Sequence, residues 1–554
     1  MSVTTTADLQ AAAKRFSLFA AVLLLTLLSV ALGLTESAEW FWPLLLLLPL
    51  LAMGSWDLVQ PSHSLMRNYP LLAHFRWLFE ALRPYLRQYI VEDDHSGTPY
   101  SHDDRALIYA RAKGQEDRQP FGTELDAYSS AFEWMTHSIA PKPVVKEPFH
   151  IKVGGHDCKK PYGAAILNIS AMSFGSLGPN AIEALNWGAK LGGFYHDTGE
   201  GGISRYHRIH GGDIVYELGT GYFGARNPNG SFSPERFAEQ AQNDQVRMIE
   251  IKLSQGAKPG HGGILPAAKV SAEISNARGV AMGIDCVSPS RHSAFSTPVE
   301  MMEFIAQLRE LSGGKPIGFK LCIGHPTEVF ALIKAMLKTG IKPDFIVVDG
   351  KEGGTGAAPA ELSDHLGTPL REGLILMRNA LVGAGLRSEI RLAASGKVVS
   401  GFSMAVNLAM GADWCNAARA FMFSLGCVQS MRCHTNRCPT GVTTNDPILQ
   451  RGLDVALKAR RVAGFQHNTV EALAELVAAA GLDHPQDLMP RHIWHRLNPI
   501  EVRTLDRIYN FLEPGVLVSA PDMTPYADEW RAADEESFIP RMDVGPQREG
   551  ESAA

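Results

Sequence analysis

The sequence predicts an α/β protein, a (β/α)8 barrel of the TIM type, with an N-terminal two-helix transmembrane hairpin. Three observations carry that expectation. Short apolar runs alternate with helical patterns over roughly 250 residues, glycine-rich loops fall where those runs end, and two hydrophobic stretches stand at the start of the chain. The composition suits such a fold. The chain has 554 residues, 45% hydrophobic and 20% charged, enough for a large core and inconsistent with global disorder. Its 52 Lys+Arg against 58 Asp+Glu give a net charge of −6, which argues against a nucleic-acid partner. Seven cysteines, three of them crowded into one segment, exclude a secreted disulfide scaffold.

The first element is the hairpin, assigned to residues 1–60. Phe16 to Leu34 is uncharged and close to the ~20 residues that cross a bilayer. A second run, Trp40 to Trp56, follows a linker with two Glu and no base. It contains Pro43 and Pro49, which membrane helices tolerate. Lys14 and Arg15 precede the pair, and Arg67, Arg76, Arg83 and Arg87 follow it, so the positive-inside rule places both ends in the cytoplasm. The expected location is the inner (cytoplasmic) membrane, with the catalytic domain facing the cytoplasm. A cleaved signal peptide is the alternative; the second span directly after the first speaks against it. Residues 61–150 read as a helical linker, with a helical pattern over Leu72–Tyr89.

The barrel is assigned to residues 151–515. Its expected strands are Ala165–Ile169, Met248–Lys252, Gly279–Asp285, Ile317–Leu321, Phe345–Val348, Ile390–Ala393 and Asp413–Asn416. Expected helices between them include Pro298–Leu311, Thr327–Lys338, Leu370–Val382 and Gly401–Leu408, with Ile448–Ala463 and Thr469–Ala480 after the last strand. Residues 516–554 read as an acidic, partly flexible tail.

Gly219-Thr-Gly221-Tyr-Phe-Gly224 matches the dinucleotide fingerprint in form, but the turn-rich Ala225–Gly230 follows it instead of a helix, so the Rossmann reading is set aside. Four other loops, Ser173–Ser176, Thr198–Gly202, Lys258–Gly263 and Glu352–Gly356, describe the catalytic face of a barrel, where backbone approaches a ligand. Gly396 with Lys397, and Ala418 with Arg419, follow the last two strands, where such barrels cradle phosphate; ordinary turns are the alternative. Lys320 lies in an otherwise buried strand and needs a partner there. Either a flavin, negatively charged when reduced, or an unseen carboxylate would serve, and Lys252 poses the same question.

Cys427, Cys433 and Cys438 form a C-x5-C-x4-C-P segment. Three thiolates at this spacing suit an iron–sulfur cluster, whereas structural zinc favours paired C-x2-4-C spacings and a fourth ligand. Cys415 could in principle be a fourth ligand, but its strand-like surroundings read as core. Cys158, Cys286 and Cys322 read as small buried hydrophobes.

Ile169–Ser176, Thr198–Gly202, Gln255–Gly260, Gly353–Ala357 and the cysteine segment through Val442 together resemble the FMN-binding synthase domain of the glutamate synthase large subunit. The likeness is greatest to the short, stand-alone FMN-binding glutamate synthase family proteins and spans about residues 65 to 515. The resemblance implies FMN in the barrel and a [3Fe-4S] cluster on Cys427, Cys433 and Cys438. It implies flavin contacts from Ala171, Met172, Ser173, Gln255, Lys320, Gly354, Gly396, Lys397, Ala418 and Arg419. The implied reaction is reductive amination of 2-oxoglutarate by ammonia to give glutamate. Electrons would come from an external donor such as ferredoxin or an NAD(P)H-dependent reductase. Lys320 would stabilise the reduced flavin, Lys258 and Arg278 would hold substrate carboxylates, and Glu200 would steer ammonia or protons or tether its loop.

The sequence departs from that family in several places. It has no counterpart of the glutaminase domain (residue 2 is Ser and the first cysteine is Cys158), so ammonia is expected either free or from a separate glutaminase subunit. The C-terminal β-helix domain also has no counterpart. His261 replaces a family Glu, and Ser290–Ala294 replaces a Pro-Pro-His-His-Asp segment. These departures leave two alternatives: an FMN/iron–sulfur oxidoreductase acting on another imine or N-substituted amino acid, or a membrane-bound electron relay.

Overall fold

The computed structural model describes residues 6–541. The chain divides into two compact units, Met1–Asp103 and Asp104–Ala554.

In the first unit, helices Thr6–Thr35 and Leu44–Val59 are joined by a short turn of helix, Ala38–Phe41. Lys14–Thr35 and Ala38–Val59, 22 residues each with mean hydropathy 2.5 and 1.6, are long and apolar enough to cross a membrane. Glycine permits their close approach: a Cβ on Gly54 would stand 2.4 Å from the Phe19 ring. The helix His74–Leu86 follows.

The second unit is built on a closed barrel of eight parallel strands. In chain order they are β1 (Leu167–Ile169), β2 (His196–Asp197), β3 (Ile214–Leu218), β4 (Val246–Lys252), β5 (Ile317–Leu321), β6 (Phe345–Asp349), β7 (Arg391–Ser395) and β8 (Trp414–Ala417). Each pairs with the next, and β8 returns to β1 through Cys415↔Leu167 and Ala417↔Ile169. Both faces of the wall are covered, so β1, β3, β5 and β8 are buried at every position instead of alternating. Tyr195, Val215, Met248, Phe345, Ala393 and Trp414 fill the interior near the strand starts. The hairpin His150–Val153/Tyr162–Ala165 adds Ile151, Val153 and Ala164 to that core, closing the N-terminal end. Gly318 makes room in this layer, since a Cβ there would stand 2.5 Å from the Phe345 ring.

Several expectations are corrected. Gly279–Asp285 is not a barrel strand: Gly279 and Gly283 have φ of 65° and 76°, and Met282 and Ile284 are exposed. Its place in the barrel is taken by β2 and β3, which the sequence reading passed over. The two helices expected after the cysteines are one, Val455–Ala479. It packs on Pro179–Gly192, where a Cβ on Gly188 would stand 2.4 Å from Val462.

The segment read as a 61–150 linker divides between the two units. Its later part joins the barrel unit, as Glu133–Met135 pairs with Ile493–Arg496 and Glu133 accepts from Arg371 at 2.6 and 2.9 Å. The start of the supposed tail is docked: Leu517 meets Gly383, and Tyr526 and Trp530 pack on Phe330. The rest of that tail, 542–554, lies outside the described residues.

Candidate active site at the barrel mouth

The loops after β1 and β2 interlock. Gly199 has a φ of 63°, and a Cβ there would stand 2.6 Å from the Ser173 nitrogen, so only glycine fits. This contact supports the backbone of Ala171, Met172 and Ser173. Next along the loop, Glu200 pairs with Lys252 at 3.1 Å, and Lys252 also donates to Gln255 at 2.7 Å. Arg278 donates to the Phe174 carbonyl at 3.0 Å and the Ser173 hydroxyl at 3.4 Å, with its guanidinium 5.0 Å from the centre of the Phe223 ring. Its buried Nε finds no hydrogen-bond partner among the described residues. Lys258 is buried nearby. Burial works to raise the Glu200 pKa, but the charges of Lys252, Arg278 and Lys258 outweigh it and hold the carboxyl below its ordinary value. Burial lowers the Lys258 pKa against the pull of Glu200.

The loops after β6, β7 and β8 form the other half of the mouth. A Cβ on Gly354 would stand 2.5 Å from the Arg419 side chain, which donates to the Glu352 carbonyl. Gly396 packs on Glu352, and Lys397 adopts a left-handed backbone with φ of 47°. Burial and then the Arg419 charge lower the Lys397 pKa. Two cations beside glycine backbone, with Ala418 just before Arg419, suit an anion such as a phosphate. The two halves meet where Ser170 and Ser395 hydroxyls lie 3.3 Å apart, and where Gly256 donates to Asp349 at 2.9 Å.

Inside the barrel, Lys320 pairs with Glu217 and, at 3.3 Å, with Glu250, and Asp197 completes a buried cluster. The ammonium therefore has carboxylate partners, and the charge argument that assigned it to a flavin no longer applies. Burial opposes the Lys320 charge, yet Glu217, Glu250 and Asp197 push its pKa well up. Burial and then Glu217 push Asp197 up to about 7. Glu250 is raised well above its ordinary value by burial and by Asp197. The sequence reading missed these three carboxylates, although Glu217 and Glu250 each interrupt an apolar strand, as Lys320 does.

Cys427, Cys433 and Cys438 lie on the loop after helix Arg419–Leu425, all as free thiols. Three non-glycine residues of this loop, Gln429, Met431 and Asn436, have positive φ, so its backbone turns tightly between the cysteines. The thiols lie within electrostatic reach of one another. Lys269, also missed from sequence, ties the loop to the mouth by donating to the Ser176 carbonyl at 2.7 Å and the Cys433 carbonyl at 3.3 Å. Gly356 lies 3.8 Å from the Cys433 side chain, measured from its virtual Cβ. Cys415 is buried within the wall strand β8. Cys286, read as a hydrophobe, receives a long contact of 3.7 Å from Arg278.

Of the two departures from the family pattern, one side chain points to solvent and the other packs behind Lys252. His261 is exposed and bonds the Gly262 carbonyl at 2.9 Å. His292 is buried between the Tyr222 hydroxyl, at 3.0 Å, and the Lys252 carbonyl, at 2.9 Å.

Cations line this barrel mouth, and a loop carrying three free thiols is tied to it through Lys269, an arrangement suited to an oxidoreductase of the (β/α)8 class. Residues 145–483 match the conserved region in glutamate synthase, more than half of the chain, and it belongs to that family. It is 38% identical over 493 residues to the glutamate synthase large subunit-like protein YerD of Bacillus subtilis, covering 82% of this chain and 93% of that one. It is 33% identical over 325 residues to the archaeal glutamate synthase (NADPH) of Methanocaldococcus jannaschii, covering 58% of this chain and 60% of that one. The match thus spans about three-fifths of the archaeal protein. Among solved structures, mandelate oxidase with (S)-2-phenylpropionate is 14% identical with a TM-score of 0.40, covering 72% of this chain and 98% of that one.

Proposed function

We propose that this protein reductively aminates 2-oxoglutarate to glutamate, using ammonia and electrons that pass through a [3Fe-4S] cluster and FMN. One observation carries the choice of substrate. Three cations, Lys252, Lys258 and Arg278, act on the single carboxylate Glu200. Two positive charges are left unmatched, which is the charge of a dicarboxylate. The reaction consumes 2-oxoglutarate, ammonium, two electrons and two protons, and releases glutamate and water.

The residues present fit both cofactors. Lys397, Arg419, Gly354, Gly396 and Ala418 would hold the flavin phosphate. Ala171, Met172, Ser173 and Gln255 would line the ring, and Cys427, Cys433 and Cys438 would hold the irons. When bound, the cluster supplies single-electron transfer and FMN supplies hydride. The chain's own work is to position and to exclude. Arg278 and Lys258 would hold the carboxylates and fix the orientation of the keto group, Arg through its planar fork. Glu200, kept ionised by the surrounding cations, attracts and orients ammonium; a carboxyl with a lowered pKa is a poor proton donor. Condensation of ammonia with the keto group gives the imine that is then reduced.

The two apolar helices support a further part of the proposal, a tether to the cytoplasmic membrane with the barrel on the cytoplasmic side. The electron donor would be a ferredoxin or an NAD(P)H-dependent reductase. The test is to load the full chain with FMN and iron–sulfur and to supply reduced methyl viologen, ammonium and 2-oxoglutarate. Glutamate should form only when all three are present. Donor oxidation that ignores 2-oxoglutarate, or a product other than glutamate, would sink the proposal.

A further inference from the structure

We infer that helix His74–Leu86 is an interfacial membrane anchor, lying in the plane of the bilayer surface with its apolar face in the lipid. At ~100° per residue, Phe75, Leu78, Phe79, Leu82, Tyr85 and Leu86 fall within about 120° of one another around the helix axis. All six are between 41% and 60% exposed, so the protein leaves the face bare. Arg76 and Arg83 fall together on its flank. From there their stems can run along the apolar surface while the guanidinium groups reach headgroup phosphates. A bare apolar stripe of this size marks a partner.

The bilayer is that partner because of where the helix begins. Asp57 sits in the last turn of the second span, where its buried carboxylate accepts from the Leu71 N–H at 2.9 Å and pairs with His74 Nε2 at 2.9 Å. Gln60 and His63 brace the turn between, with bonds of 2.9 and 2.8 Å. These contacts bring the first turn of the amphipathic helix back to the end of the span, next to the exposed Trp56. Tryptophan at this point suits the membrane–water boundary. On this inference the helix leaves the end of the span at the level where lipid meets water, and its apolar face would enter the lipid there.

This inference rests on the reading of Lys14–Val59 as a membrane hairpin, and its test separates the two. A benzophenone amino acid is placed in the full chain at Phe79 or Leu86, at Leu46 within the hairpin, or at Glu80 on the opposite side of the helix. Each protein is reconstituted in phosphatidylcholine/phosphatidylglycerol vesicles and irradiated, and the adducts are identified by mass spectrometry. Lipid adducts are expected at Leu46, Phe79 and Leu86, and severalfold fewer at Glu80. Lipid adducts at Leu46 with none at Phe79 or Leu86, or adducts there to a second copy of the chain, would overturn the interfacial anchor and leave the tether standing. No lipid adduct at Leu46 would overturn both.

Discussion

Arg278 and Asp197 illustrate two ways in which a buried charge is used. Arg278 spends one edge of its guanidinium on the loop after β1, yet its buried Nε lacks a partner among the described residues. The Arg278 charge, beside Lys252 and Lys258 at the barrel mouth, is suited to a substrate carboxylate. Arg278→Lys keeps the charge and loses the planar fork. Loss of one charge-assisted hydrogen bond, ~1.5–3 kcal/mol, corresponds to a roughly 10- to 100-fold higher KM for 2-oxoglutarate. Initial rates over a 2-oxoglutarate series check this, and an unchanged KM would remove Arg278 from the substrate site. Asp197 works in the opposite sense, because its pKa is pushed from 3.8 up to about 7 by burial and Glu217. Between those values the folded chain keeps a proton that the unfolded chain has released. Linkage then requires stability to fall as pH rises through the window, by at most about 1.4 kcal/mol per pH unit. His196 and His207 act against this trend, since burial lowers both pKa values and the folded state binds fewer protons below the ordinary range. The informative quantity is therefore the difference between wild type and Asp197→Asn. Urea unfolding at pH 5 and pH 7 should show the wild type losing stability relative to the variant as pH rises, and a constant difference would refute the shift.

The loops carry the chemistry, and they differ in how plainly the sequence reveals them. On the proposed assignment of the cluster to Cys427, Cys433 and Cys438, Cys433→Ser should strip the iron and abolish the iron–sulfur absorption. Cys415→Ser, within a barrel strand, should keep the cluster and cost at most ~1–2 kcal/mol in packing. Iron content and low-temperature EPR of the oxidised proteins check this. If Cys415→Ser is as damaging as Cys433→Ser, and the oxidised wild type is EPR-silent with four irons, the three-cysteine assignment fails. The β1 and β2 loops allow a second test. At Gly199 both the positive φ and the Ser173 nitrogen 2.6 Å from a virtual Cβ forbid a side chain, so Gly199→Ala should displace Ala171–Ser173 and lower FMN occupancy. Flavin-to-protein absorbance measures it; full occupancy would show that this backbone is not part of the flavin site. Glycine loops and cysteine spacing were legible because their signals are local. The β5 to β8 strands were legible as apolar runs. β2 was not, since its two residues, His196 and Asp197, are polar: Asp197 joins the carboxylate cluster inside the barrel, and His196 packs outward on His207. β3 was hidden between Gly212 and Gly219, and the apolar Gly279–Asp285 misled because its Met282 and Ile284 face solvent. Lys320 announced that it needed a partner, but not which one. Glu217 and Glu250 lie on other strands, and only barrel closure brings them to it.

At the scale of the whole molecule, the division at Asp103 separates the two apolar helices from the barrel and its candidate site. Every residue assigned to the flavin, the substrate or the cluster lies in the second unit, which has its own closed barrel and core. The first unit holds the two apolar spans and the bare face of His74–Leu86. Two deletions should therefore behave differently. Removing residues 1–60 takes away the spans but leaves the amphipathic helix, and this protein should still sediment with phospholipid vesicles, released by alkaline carbonate as a peripheral protein is. Removing residues 1–103 takes away both, and the remaining chain should stay in the supernatant. Both truncated proteins should carry FMN and iron, because no residue assigned to either cofactor has been removed. The expected result is a change in sedimentation without a change in the visible spectrum. If the 104–554 chain loses its flavin while its circular dichroism stays native, the first unit contributes to the site. A 61–554 chain that remains in the supernatant would instead place all membrane attachment in the two spans.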